Sequence, residues 1–323
     1  MSFLTCYSEP ATVHYVSSFF SKATLFNFLV LTIVIVTPYL VGYRTQGFWT
    51  RLETVREQPI IEFKYETLLI LETKLSDGSS GSLVWSTFPG LNNMLIEKVS
   101  PFITSREGDS NMDGINEFLE IEVRIPKPLN EVVDGIHFML LFDYRLYKHA
   151  TFQMESMAYG SYQTGKSANR FDIMADLALV LRQPLFNRVR DTRFNYEVIP
   201  RNGTTVDDYR IQQILQKYTE RNVSTILENK YQLWATDDNL RDDEFTFKAR
   251  IFYTEQSYEC WASFWATMKW AWVQYFSIFV IVAVVVKEFQ KTVYKARLFE
   301  TRLILPWDKR LNQKPKPMTL NQR

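Results

Sequence analysis

The run Asp109-Ser110-Asn111-Met112-Asp113-Gly114, with Glu120 beyond it, sets oxygen-bearing side chains at alternate positions, then a glycine, then a carboxylate. A calcium loop uses this spacing to surround a hard cation with oxygens, while its glycine permits a sharp turn. Asp, Asn and Gly also make hairpin turns without any ion, because their side chains bond the local backbone. The residues after the loop alternate as a strand does, so the segment is no helix-loop-helix hand and Glu120 falls inside the strand. A structural calcium ion on Asp109, Asn111, Asp113 and Glu120 and an ion-free turn both stay open.

Catalytic constellations are missing. His14, His137 and His149 are the three histidines, and no two have metal-ligand spacing. There is no Gly-x-Ser-x-Gly elbow, no phosphate loop and no His-Glu-x-x-His, so no catalytic residue and no required cofactor is assigned. Cys6 and Cys260 are the two cysteines. A domain of this size without internal disulfides rests on its apolar core.

Charge and hydropathy set out the elements that hold these residues. Thr24 to Tyr43 has no charged residue, and a helix of that length spans about 30 Å, the thickness of a bilayer's hydrocarbon. Twenty-three residues precede it with one lysine, which fits a retained anchor rather than a cleaved signal. Trp270 to Val286 is also charge-free, with Trp261, Phe264, Trp265, Trp270, Trp272 and Tyr275 at one end and Lys287, Lys291, Lys295 and Arg297 at the other. Aromatics at one interface and cations beyond the other mark a membrane span.

From Lys287 onward the chain holds ten basic and three acidic residues, which by the positive-inside rule puts this tail in the cytosol. Two spans return the N-terminus to the same side. The expected organisation is a cytosolic N-terminus 1–23, a span 24–43, a luminal or extracellular domain 44–263, a span 264–286 and a basic cytosolic tail 287–323. The domain holds 25 basic and 32 acidic residues. The sequons at Asn202 and Asn222, the glycosylation candidates, both fall in it. Lys287, Lys291 and Lys295 recur every fourth residue and line one side of a helix, as a topology anchor, a lipid-facing stripe for anionic headgroups, or both. A whole-chain net charge of +1 predicts no nucleic-acid partner.

Between the spans, alternation of period two marks strands at 60–71, 82–88, 118–125, 136–147 and 244–253, with weaker runs at 151–159 and 171–181. In 119–125, Leu119, Ile121, Val123 and Ile125 share one face and Glu120, Glu122 and Arg124 the other, as in a half-buried antiparallel sheet. Ile211, Ile214, Leu215 and Tyr218 predict one helix, capped by Asp207 or Asp208 and lying on an edge of the sheets. The fold class is therefore a membrane protein: two transmembrane α-helices flanking a mainly-β, sandwich-like (α+β) luminal domain.

A set of short motifs, in order along the chain, carries a resemblance. They are Ser21-Lys22-Ala23, Gly47-Phe48-Trp49, Glu57-Gln58-Pro59, Trp85-Ser86-Thr87-Phe88-Pro89 and the Asp109–Gly114 loop. Tyr144-Arg145-Leu146, Met154-Glu155-Ser156-Met157-Ala158, Glu220-Arg221-Asn222-Val223 and Trp272-Val273-Gln274-Tyr275 follow. In these the chain resembles the transmembrane protein 231 family of the ciliary transition zone. The tail and Cys6 match it poorly. The resemblance implies a non-enzymatic scaffold of the Meckel syndrome complex, with B9-domain proteins, tectonics and other membrane members as partners, gating membrane-protein entry and supporting cilium assembly. Other plans with two spans around a large ectodomain are a channel or flippase accessory subunit and a membrane-anchored luminal hydrolase. The first usually carries several disulfides; the second lacks a recognisable nucleophile-base pair here.

Overall fold

The computed structural model describes residues 13–45, 47–48, 51–95, 99–237 and 243–304. The expectations for residues 1–12, including Cys6, and for the tail past 304 lie outside these. In chain order the elements are β1 (His14–Val16), α1 (Lys22–Thr45), β2 (Leu52–Glu57), β3 (Ile60–Leu75), β4 (Ser80–Ser86), α2 (Pro89–Met94), β5 (Phe102–Gly108), β6 (Phe118–Pro126), β7 (Glu131–Leu146), β8 (Thr151–Gln163), β9 (Arg170–Leu181) and β10 (Arg190–Asp191). A 3-10 turn (Val206–Tyr209), α3 (Ile211–Thr219), β11 (Val223–Ala235), β12 (Glu244–Phe252), β13 (Gln256–Trp261), α4 (Phe264–Lys295) and β14 (Arg302–Ile304) complete them. The chain divides into two units, Met1–Thr50 with Phe264–Arg323, and Arg51–Ser263.

The first unit is built on α1 and α4, both long and apolar enough to cross a membrane. Leu25, Phe28, Leu31, Trp272, Phe276 and Ile281 are exposed along them, as side chains facing lipid must be. Polar contacts join the pair where lipid offers none. Gln290 Nε2 donates to Asn27 Oδ1 at 2.8 Å, and the Tyr294 hydroxyl donates to the same oxygen at 2.7 Å. Pro38 removes one rung of the α1 ladder. In that interrupted turn, the Tyr275 hydroxyl donates to the Ile35 carbonyl at 3.3 Å. A Cβ on Gly42 would sit 2.5 Å from the Phe48 ring, so this close approach requires glycine. α4 is 32 residues long and continues unbroken past the expected span end at 286. At about 48 Å it exceeds the hydrocarbon and carries Lys287, Lys291 and Lys295 on its extension.

The second unit is a sandwich of two five-stranded sheets, ordered β10-β8-β7-β3-β4 and β11-β9-β12-β6-β5, plus the β13-β2 ribbon. Alternation in the sequence becomes alternation in burial: Leu119, Ile121, Val123 and Ile125 are at most 1% exposed, and they join Phe138, Phe171 and Phe247 in the core between the sheets. The rings of Phe138 and Phe247 are 4.9 Å apart, and those of Phe171 and Phe247 stack at 6.2 Å. Burial of such side chains contributes roughly 1.5–3 kcal/mol each. Phe138 pairs across strands with Gly160, where a Cβ would meet its ring at 2.2 Å.

Strand β6 pairs antiparallel with both β5 and β12, as its alternation predicts, while β9 and β12 pair in parallel at the middle of the same sheet. Two details differ from the sequence reading. The helix packs on a face, not an edge: Ile214 and Tyr218 of α3 and Leu91 of α2 cover Leu68, Met139, Leu141 and Met157 on the outer side of the β3-β7-β8 sheet. Asp207 and Asp208 do not cap α3. They lie in the 3-10 turn, where Thr205 is the N-cap and Asp208 completes a capping box. Arg210 precedes α3 with no side-chain cap.

Candidate functional site

The acidic loop joins β5 to β6 and satisfies its own backbone. Asp109 Oδ2 accepts from the Gly114 N–H at 2.8 Å, Asn111 Oδ1 from Asp113 N–H at 2.9 Å, and Asp113 Oδ1 from Ile115 N–H at 2.8 Å. Glu117, which sequence reasoning passed over, closes the loop by accepting from the Ser110 N–H at 3.2 Å. Gly114 has φ 85° and Met112 φ 59°, the left-handed backbone such turns use. Glu120 belongs to the ladder instead, opposite Arg106 on one side and Arg250 on the other. Among the described residues no group of three or more His, Cys, Asp or Glu is placed to hold a metal. Asp109→Ala removes the acceptor of the Gly114 N–H and is expected to lower stability by about 1–2 kcal/mol. Thermal melts with chelator present check it; an unchanged melting temperature there would contradict the turn's dependence on Asp109.

The two sequon asparagines are exposed, Asn202 in the turn before Val206–Tyr209 and Asn222 just ahead of β11. Lys287, Lys291 and Lys295 are exposed on α4, and Lys291 pairs with Glu288 at 3.1 Å. His137 is not free: Nε2 lies 3.1 Å from Glu72 Oε1 and Nδ1 3.2 Å from the Tyr159 hydroxyl. Cys260 is buried on β13, and burial, with Glu53 nearby, pushes its thiol up, away from a reactive thiolate.

Several of the short motifs that carry the family resemblance prove to be buried polar nodes. Glu57 is 3% exposed. Its Oε1 accepts from the backbone N–H groups of Tyr147 and Lys148, each at 2.8 Å, and its Oε2 from the Tyr258 hydroxyl at 2.7 Å. Burial, then the bond to Glu57, pushes that hydroxyl's pKa well up. Glu155 accepts from Val198 N–H at 2.7 Å and pairs with Lys64. Arg221, 4% exposed, donates to the carbonyls of Glu155 at 3.0 Å and Tyr196 at 3.1 Å, with its guanidinium over the Tyr196 ring. Tyr144 hydroxyl donates to Gln256 Oε1 at 3.3 Å, and burial raises its pKa. These groups fasten strands; none is arranged as a nucleophile with its base.

Two apolar helices at the ends of a mainly-β domain, with charged residues spent on holding that domain together, define a membrane protein with two candidate spans. The chain belongs to the family described as Transmembrane protein 231, whose model matches residues 1–303. It is 37% identical over 302 residues to Transmembrane protein 231 of Xenopus tropicalis, covering 93% of this chain and 96% of that one. The Gallus gallus protein of that name is 33% identical over 310 residues, 95% of each chain. The Homo sapiens one is 34% identical over 284 residues, 87% of this chain and 88% of its own.

Proposed function

We propose that the chain is a non-enzymatic transmembrane scaffold of the ciliary transition zone, a member of the Meckel syndrome complex that gates membrane-protein entry and supports ciliogenesis. The observation that carries this reading is family membership along nearly the whole chain. In this reading the termini face the cytosol, the sandwich faces the lumen or cell exterior, and the exposed Asn202 and Asn222 carry glycan. B9-domain proteins, tectonics and other membrane members of the complex are its partners. The lysine stripe meets anionic headgroups of the inner leaflet.

One experiment tests location and orientation together. A C-terminally tagged copy in ciliated cells is expected to concentrate at the ciliary base and to co-purify with tectonics or B9-domain proteins. Enzymatic deglycosylation is expected to shift its mobility, and Asn202→Gln with Asn222→Gln to abolish the shift. Uniform surface staining without a ciliary defect on deletion would return the channel or flippase subunit to first place. A structural calcium ion remains part of the proposal, with Asp109 Oδ1 as a buried loop oxygen lacking a partner. Its sign is a melting temperature that rises between chelator and millimolar calcium in wild type, by the free energy of binding to the folded state alone.

A further inference from the structure

The outer face of the β11-β9-β12-β6-β5 sheet holds large apolar side chains in the open: Met174 is 50% exposed, Tyr231 75% and Leu233 57%. Strand register lines these up with charges. One row crosses the sheet as Arg106, Glu120, Arg250, Met174 and Tyr231, and the next as Thr104, Glu122, Lys248, Asp172 and Leu233. In the second row the charges are matched, Lys248 to Glu122 at 2.9 Å and Asp172 to Arg170 at 2.7 Å. In the first, two guanidiniums, Arg106 and Arg250, flank the single carboxylate of Glu120, which leaves one positive charge in excess. Arg250 lies over the rings of Phe118 and Phe252, 4.7 and 5.3 Å from their centres, and neither it nor Arg106 joins an ion pair among the described residues. A groove of about 380 Å³ runs past Arg106, Glu120, Arg250 and Met174.

We infer that this face is the docking site for a segment of another protein that presents apolar side chains beside a carboxylate. Tyr and its apolar neighbours, rimmed by charges, have the composition of a binding hot spot. The guanidiniums of Arg106 and Arg250, two against the one carboxylate of Glu120, leave donors for a second carboxylate, which a fork of N–H groups holds in two bonds. A second copy is the poorer occupant, since the domain's acidic excess repels itself. Docking is by the face rather than by strand addition, because β11 has a register shift between Glu228 and Tyr231 and carries Lys230 there, devices that blunt an edge. Asn222 is nine residues from Tyr231, about 30 Å along an extended strand, so its glycan leaves the patch open. The inference rests on reading the chain as a subunit of a membrane assembly and names the surface that assembly uses.

The test places p-benzoylphenylalanine at position 231 of the full chain in ciliated cells, with position 132 on β7 as an exposed control. Irradiation is expected to join one heterologous polypeptide to position 231 and none to position 132. Arg250→Glu should cut the yield roughly tenfold, the scale of a charge-assisted hydrogen bond. Changing the mapped carboxylate of the partner to lysine should restore it. Leu233→Asp, which leaves the Arg250 packing untouched, should also cut the yield, with a melting temperature of the purified full chain close to that of wild type as the sign of a folded domain. No adduct, an adduct with a second copy, or a yield indifferent to both variants overturns the inference. Absence of the adduct with ciliary-base staining intact removes the surface alone. An adduct that persists in a chain spread over the cell surface removes the transition-zone reading alone.

Discussion

Glu57→Ala is expected to destabilise the β sandwich by about 3–5 kcal/mol, because it removes one buried acceptor from three donors at once. The backbone N–H groups of Tyr147 and Lys148 and the hydroxyl of Tyr258 all end on this carboxylate. At a residue only 3% exposed, bulk water does not reach these donors in the folded wild type. Glu57 ends β2, Tyr258 is on β13, and Tyr147 follows β7, so the same group fastens the two-stranded ribbon to the main sheet. Glu57→Gln keeps one acceptor oxygen and turns an amide toward Tyr258, so an intermediate loss of about 1–2 kcal/mol is expected. Tyr258→Phe should cost about 1 kcal/mol in wild type and less in the Glu57→Ala background, since the two share one bond. Denaturant titration of the full chain in detergent, followed by tryptophan fluorescence, reads all four. An alanine variant within 1 kcal/mol of wild type would show that the ribbon is held by other means.

The sheets were legible where one face is buried and the other is wet. The residues from Leu119 to Ile125 alternate because their strand sits between a core and solvent, whereas Phe138 to Phe142 of β7 are buried in succession because α2 and α3 cover the outer face there. β11 escaped notice for the opposite reason: residues 228–233 are exposed in succession, and Asn229, with φ 49°, breaks the period at the register shift. The ribbon strands β2 and β13 are six residues each, too short for a period to stand out.

Charged residues at the nodes were read for their order in the chain, and nothing in their types announced burial. Glu57, Glu155 and Arg221 belong to residue classes that are almost never fully buried unless paired. Their partners are far away in sequence, 201 residues in the case of Glu57 and Tyr258, so only the folded chain brings them together. The acidic loop shows the converse. Its turn was legible from Asp, Asn and Gly, yet the carboxylate that closes it is Glu117, because Glu120 is already part of the β6 ladder.

Arg221→Ala is the second large effect expected, a loss of about 3–5 kcal/mol. The guanidinium is 4% exposed and spreads over two attachments that a shorter side chain cannot reach. Nη1 donates to the Glu155 carbonyl at 3.0 Å, while Nη2 donates to Tyr196 at 3.1 Å and Glu197 at 3.4 Å. The ring of Tyr196 lies 3.9 Å from the guanidinium carbon and that of Tyr218 lies 5.3 Å away. Arg221 thus joins the start of β11 to β8 and to the segment before the 3-10 turn, and alanine there leaves buried carbonyls without donors. Lysine should recover only part of the loss, since a single ammonium neither forks to carbonyls on two segments nor stacks on a ring. Arg210→Ala is the contrast: its pair with Asp207 is a surface pair, 67% and 59% exposed, and its removal should change stability by no more than about 0.5 kcal/mol. Parallel denaturation of the three variants decides the matter; equal midpoints for Arg221→Ala and Arg210→Ala would mean that the buried guanidinium contributes no more than a solvated one.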